Sequence, residues 1–143
     1  MVRGFRAGIG VKAAVFHSGR ILLLRRSWNA PQYRGLWDLP GGAVEKDESL
    51  EDALLREAWE ETALRLKVGR AYHAVLTMWP AGDGTSFPSV GIFFLCRRLG
   101  RGEPRLRPNE HSEYAWVDRR ALHRYRMPSF WAKAVRLAFD QSR

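Results

Sequence analysis

Residues 37–64 read WDLPGGAVEKDESLEDALLREAWEETAL, a Gly-Gly segment followed by a long acidic stretch. From Ser49 to about Thr62 there is no Gly or Pro, and Leu, Ala, Glu and Arg dominate. These are strong helix formers, so the stretch predicts a helix. Asp47 and Ser49 both suit the N-cap, and Asp47, Glu48, Glu51 and Asp52 suit the positive end of the helix dipole. At about 100° per residue, Leu50, Ala53, Leu54 and Leu64 share one side, the natural core face. Glu57 and Glu61 project into that same side, with Glu60 at its edge. A stripe that begins apolar therefore continues as carboxylates, and buried charge is costly unless paired or bound to metal.

The spacing sharpens this. Glu57, Glu60 and Glu61 stand at i, i+3 and i+4, so their side chains converge. Clustered carboxylate oxygens are what hard Mg²⁺ or Mn²⁺ requires, with water and phosphate oxygens completing the shell. Arg56 is placed to pair with Glu60. The plainer alternative is a solvated acidic face, with Arg56–Glu60 and Glu61–Arg65 as surface pairs.

The flanking residues favour the first reading. Gly42, five residues, Glu48, seven residues, then Arg56-Glu57-Ala58-Trp59-Glu60-Glu61-Thr62-Ala63-Leu64 resembles the Nudix box, and every charged position of that pattern matches. The lead-in Gly35-Leu36-Trp37-Asp38-Leu39-Pro40-Gly41-Gly42 is similar to the family's as well. The resemblance implies an α/β fold, the Nudix α/β/α sandwich with a mixed sheet. It implies Glu57, Glu60 and Glu61 as metal ligands, with Glu48 either joining them or bracing Arg56. One position departs: the family's final glycine is Ala63 here. That glycine normally closes the helix in a left-handed cap, where alanine costs about 1 kcal/mol. Either the helix runs on into Arg65-Leu66 or its end takes another shape.

The chain has 143 residues, the size of one domain, and residues 1–143 are read as a single Nudix hydrolase domain. The hydrophobic fraction of 45% is enough for a real core. No apolar run approaches membrane-spanning length, and the N-terminus lacks a long apolar signal core, so a cytoplasmic protein without membrane contact is expected. The lone Cys96 lies in an apolar run and reads as a buried strand residue. The net charge of +9 is uneven: residues 42–64 hold two basic and eight acidic residues, and the remainder holds 22 basic and seven acidic. A metal-loading acidic cluster in a basic body suits a polyanionic phosphate substrate. Nucleic acid suits it too, but solubility charge is the simpler reading. The sequence leaves monomer and homodimer open.

Taken in order, residues 1–10 read as a lead-in, Val11–Phe16 and Ile21–Arg26 as a hairpin, and Trp37–Leu39 as a short strand entering a Gly41-Gly42 turn. In the resemblance, basic residues such as Arg25 and Arg26 at that strand end lie near substrate phosphates. Trp37, Gly41 and Gly42 are further candidate substrate contacts, the glycines because they let backbone approach a ligand closely. Trp28, Tyr33 and Arg34 lie in a loop. Arg65–Val68 reads as a brief strand, Tyr72–Trp79 as another, Pro80–Pro88 as a loop and Ser89–Arg97 as a strand buried on both faces. Residues 97–108 hold five arginines among Gly and Pro and read as an exposed loop. In Asn109–Asp118 the family pattern of an acid before a Trp-centred strand is met by Glu110 or Glu113. His111 is a further candidate base, with an exposed histidine the plainer reading. Asp118 caps a short helix, and Pro128–Asp140 forms a last helix with Phe130, Ala134, Leu137 and Ala138 as its apolar stripe.

The expectation is hydrolysis of a pyrophosphate bond in a nucleoside diphosphate derivative. Nucleoside triphosphates, ADP-ribose and dinucleoside polyphosphates all stay open. Pro80 lies where the family has a proline associated with ADP-ribose hydrolysis, although the chain is short for such enzymes. Glu60, Glu61 and Arg56 would serve catalysis in the presence of Mg²⁺ or Mn²⁺, with Glu110, Glu113 or Glu48 taking the proton. The rival is a non-catalytic nucleotide or nucleic-acid sensor on the same fold.

Overall fold

The computed structural model describes residues 4–142. The elements run β1 (Gly8–His17), β2 (Arg20–Arg26), β3 (Trp37–Asp38), β4 (Gly41–Ala43), α1 (Leu50–Thr62), β5 (Leu66–Pro80), β6 (Ser86–Arg98), β7 (His111–Val117), a 3-10 turn (Arg119–Arg124) and α2 (Ser129–Gln141). The strands form a seven-stranded sheet in the order β3-β2-β1-β6-β5, with β4 paired to β1 and β7 to β2. Among the described residues only the β1–β6 ladder is parallel, so the sheet is mixed.

Alternation along β1 and β2 sorts the core into two layers. Val11, Ala13, Val15, Leu22 and Leu24 face α1 and pack with its Ala53, Leu54 and Ala58. Ala14, Ile21 and Leu23 face the opposite way and pack with Trp131, Ala134, Val135 and Phe139 of α2. The sheet is thus sandwiched between one helix on each face, the α/β/α arrangement expected.

Several boundaries differ from the sequence reading. β1 starts at Gly8, inside the supposed lead-in, because Gly8, Ile9 and Gly10 pair in parallel with Ser89, Val90 and Gly91 of β6; residues 1–3 of that lead-in lie outside the described residues. The Gly41-Gly42 turn is a short strand, with Gly41 opposite Lys12 and Gly42 opposite Val11. The brief strand at 65–68 and the strand at 72–79 are one strand, β5, whose register shifts around Gly69 and Arg70 absorb the break. The loop between β5 and β6 shrinks to residues 81–85. β6 is buried only at Phe93, Phe94 and Cys96, and the rest of it is half-buried or exposed. The helix after Asp118 is a 3-10 turn, still capped by the Asp118 carboxylate at 3.0 Å from Ala121 N. In α2 the buried stripe is Trp131, Ala134, Val135, Ala138 and Phe139, rotated from the one expected because helix and sheet meet around Trp131.

The end of α1 resolves the Ala63 question. Ser49 is the N-cap, its hydroxyl accepting from Asp52 N at 3.0 Å. Ala63 itself takes the left-handed conformation, φ 55° and ψ 24°, and its N–H donates to Trp59 O at 2.8 Å. The helix neither runs on nor ends differently; it closes as a glycine would close it, with alanine bearing the strain. Ala63→Gly is therefore expected to stabilise the protein by about 1 kcal/mol. Thermal unfolding should show a midpoint higher by a few degrees with unchanged activity.

Candidate active site

The site forms where the acidic face of α1 meets the glycines of β4. Gly41 has φ 145°, and a Cβ there would stand 1.9 Å from the Val11 carbonyl oxygen. A Cβ on Gly42 would stand 2.6 to 2.8 Å from the Glu57 carboxylate. Gly41 therefore requires glycine, a side chain at Gly42 would displace the Glu57 carboxylate, and the backbone comes close to two carboxylates. Gly41 N donates to Glu61 Oε1 at 2.7 Å, and Gly42 lies against Glu57.

Glu61 is only 5% exposed, and burial pushes its carboxyl up to about 8, partly offset by Lys12 and by the Gly41 N–H. Burial also raises Glu57, against the lowering effect of Arg56. Arg56 is the hub of the remaining acids. Its Nε and Nη2 hold both Glu48 oxygens at 2.7 and 3.0 Å, and its Nη1 reaches Glu57 at 3.0 Å and Glu60 at 3.4 Å. Glu48 also accepts from Glu45 N at 2.9 Å, so its position is that of a brace on Arg56. The hydrogen bond to Arg56 holds its carboxyl below the usual range.

A second group closes on Glu61 from β7. Among the described residues, ligating atoms of Glu61, Glu110 and His111 lie within 4.8 Å of one another. His111 is 1% exposed, a correction to the expectation of an exposed histidine. Its Nδ1 lies 3.5 Å from Glu61 Oε2, and burial lowers the imidazole to about 4, so it is neutral. Glu113 does not join this group. It pairs with Arg25 at 3.0 Å on the surface, beside the shallow groove that Trp37 lines with Tyr125.

On the other side of Gly41 and Gly42 opens a cavity of about 250 Å³. Trp79, Phe87, Phe130 and Trp131 supply aromatic walls, and Lys12 and Arg26 supply positive charge. Arg26 thus reaches the cavity, whereas Arg25 turns to Glu113 and to Gly35 O. Trp37 does not line this cavity; its ring packs edge-on to Tyr125 at 4.8 Å. Lys12 and Arg26 are fixed by Asp38, which is 1% exposed and lies 2.9 and 3.1 Å from them. Lys12 also sits 5.0 Å over the Trp131 ring.

Lys12, Asp38, Trp79 and Trp131 are the members that sequence reasoning left out, and His111, named as a candidate base, was not expected to be buried. Lys12 lies in an apolar strand, GIGVKAAVF, where a lone lysine in a run of buried residues was the available signal. Asp38 stands inside the lead-in to the glycines, and its burial depends on two strands distant in sequence.

The layered sheet, the glycine strand and the carboxylate helix behind it define an α/β/α sandwich with a candidate cation site beside an aromatic, basic cavity. A profile of the NUDIX domain family matches residues 6–138, and the chain belongs to that family. The nucleoside triphosphatase NudI of Enterobacter sp. (strain 638) is 28% identical over 129 residues, 87% of this chain and 89% of that protein. A MutT-like protein of Streptomyces ambofaciens is 44% identical over 62 residues, 43% of this chain but only 34% of that protein. The chain thus spans about a third of the length of that relative. The crystal structure of a MutT protein from Methanosarcina mazei Go1 superposes with a TM-score of 0.77 at 30% identity, covering 95% of this chain and 94% of that one. Among the described residues, no helix is long and apolar enough to cross a membrane.

Proposed function

We propose that this chain hydrolyses a pyrophosphate bond in a nucleoside diphosphate derivative with the help of Mg²⁺ or Mn²⁺, nucleoside triphosphates being the favoured class. The observation that carries the reading is the Gly41-Gly42 strand. Its backbone meets the Glu57 and Glu61 carboxylates on one side and lines the aromatic, basic cavity on the other. The triphosphate preference follows the similarity to a nucleoside triphosphatase along most of both chains.

The donor set suits a divalent cation. The Glu57 carboxylate lies where a Cβ on Gly42 would stand, and buried Glu61 has one oxygen unclaimed by Gly41. Glu57, Glu60 and Glu61 would hold the ion, carboxylate oxygens being the ligands a hard cation takes. Bound there, a divalent cation neutralises the diphosphate and acidifies water.

The chain's own residues supply the rest. Arg56, gripped by Glu48, holds Glu57 and Glu60 in place. Lys12 and Arg26 take up phosphate charge, and the half-buried Trp79, backed by Trp131, offers the base a stacking face. Glu110 is the proton acceptor of choice, because it shares the group around Glu61. Of the other two candidates, Glu113 is committed to Arg25 and Glu48 to Arg56.

The test is a hydrolysis screen with Mg²⁺ and with Mn²⁺ over nucleoside triphosphates, oxidised purine triphosphates, ADP-ribose, nucleotide sugars and diadenosine polyphosphates. Metal-dependent cleavage is expected, strongest for a triphosphate. No cleavage of any of them by folded protein would sink the reading and leave the non-catalytic sensor. Trp79→Leu keeps an apolar wall but loses the stacking face, worth about 1–3 kcal/mol per base. Steady-state kinetics should show KM for the preferred nucleotide raised about tenfold with little change in kcat.

A further inference from the structure

His111 has no partner for either ring nitrogen among the described residues, although it is 1% exposed. A buried polar group without a hydrogen bond is costly, and native structures explain each instance by water, an ion or function. The nearest polar group is Glu61, and the 3.5 Å from Nδ1 to Oε2 is longer than a sound N–H···O bond. It is the spacing of two atoms that share a third. Ligand bonds of about 2.0–2.2 Å set neighbouring ligand atoms roughly 3–3.5 Å apart on one ion. Glu110 brings a carboxylate oxygen within 4.8 Å of both the Glu61 and the His111 atoms.

We propose that His111 is a direct nitrogen ligand, completing with Glu61 a mixed nitrogen–oxygen site that prefers a first-row transition cation to Mg²⁺ and leaves Glu110 beside it as the proton acceptor. This rests on the reading of the Glu61 end of α1 as a cation site, and it adds a donor from outside the helix. Mg²⁺ takes oxygen ligands and gives up its water reluctantly, whereas imidazole suits transition cations. The backbone provides for this geometry. His111 opens β7 opposite Arg26, at the register shift between Arg25 and Arg26, and its N–H is held by Arg107 O at 2.9 Å. That irregularity re-aims the first side chain of the strand into the interior. Arg26, Lys12 and Asp38 stand nearby, so the ion would complete a buried charge network rather than sit alone.

The experiment uses Mn²⁺ as the probe and the full chain without nucleotide. Pulsed electron paramagnetic resonance of bound Mn²⁺ is expected to show ¹⁴N modulation that changes to the ¹⁵N pattern on labelling with ¹⁵N-histidine. His111→Gln should abolish it and weaken Mn²⁺ binding at least tenfold, leaving Mg²⁺ affinity within about threefold. If His111→Gln does not fold, the chain carrying His17→Gln, His73→Gln and His123→Gln must keep the nitrogen signal. Bound Mn²⁺ with no nitrogen coupling would overturn the assignment while leaving the carboxylate cation site of the proposed function intact. Absence of Mn²⁺ binding would overturn both. A nitrogen signal that persists in His111→Gln, or is lost from the triple variant while His111 is present, would also overturn it.

Discussion

Glu61→Gln is expected to lower metal-dependent turnover about a thousandfold while leaving the protein folded. The amide is nearly isosteric, and its oxygen can still accept from Gly41 N, the 2.7 Å bond that ties α1 to β4. What is lost is the negative charge that would hold a cation between the helix and the glycine strand. A thousandfold loss is about 4 kcal/mol at 1.36 kcal/mol per tenfold, in keeping with the several kcal/mol that a positioned cation supplies to phosphoryl chemistry. Stability should not fall with activity. Glu61 is a desolvated carboxyl, and removing an ionisable group from that environment removes a cost rather than a support. The check is paired: turnover of the preferred nucleotide, and thermal unfolding of the metal-free protein. Full activity in the variant would exclude Glu61 from the chemistry. Lost activity with a collapsed unfolding midpoint would mark it as structural.

That dual role of Glu61 was half legible in the sequence. The i, i+3, i+4 spacing put Glu57, Glu60 and Glu61 on one face, because a helix has a fixed period and no distant element is needed to read it. The same local logic found Ser49 as one of two caps and both hairpin strands of β1 and β2. The ion pairs of Asp38 were not legible, because Lys12, Arg26 and Asp38 come from three strands and meet only through the sheet order. The burial of His111, a residue named only as a candidate base, was not legible for a related reason. Its neighbours Glu110, Ser112 and Glu113 are exposed, and nothing local marks the register shift that turns one residue of NEHSEY inward. Trp131 was missed because helix periodicity fixes which residues share a face but not where the face points. The glycine-rich opening of β1 has low strand propensity, and its extended form comes from parallel pairing with β6.

Asp38→Ala should destabilise the protein by about 3–5 kcal/mol. Asp38 is 1% exposed, and its carboxylate takes both Nζ contacts of Lys12, at 2.9 and 3.1 Å, and Arg26 Nη1 at 3.1 Å. It also accepts from Leu39 N at 2.6 Å, which fixes the backbone just before Pro40 and the glycines. Removing it leaves two part-buried cations facing each other without the carboxylate that hydrogen-bonds both. Lys12 would keep the Leu39 carbonyl at 3.2 Å and the Trp131 ring, and Arg26 would keep the Gln32 carbonyl at 2.7 Å, but these neutral partners do not offset a net charge of two. The two cations line the cavity, so a bound polyanion is the natural substitute counter-charge. Urea unfolding should therefore show a large loss for the free variant and partial recovery with saturating nucleotide, greater than the recovery wild type gains. Asp38→Asn, which keeps the acceptor to Leu39 N and loses the charge, should fall between the two. A loss below about 1 kcal/mol for Asp38→Ala would mean that water reaches Lys12 and Arg26, and that the pair is a surface bridge in energetic terms.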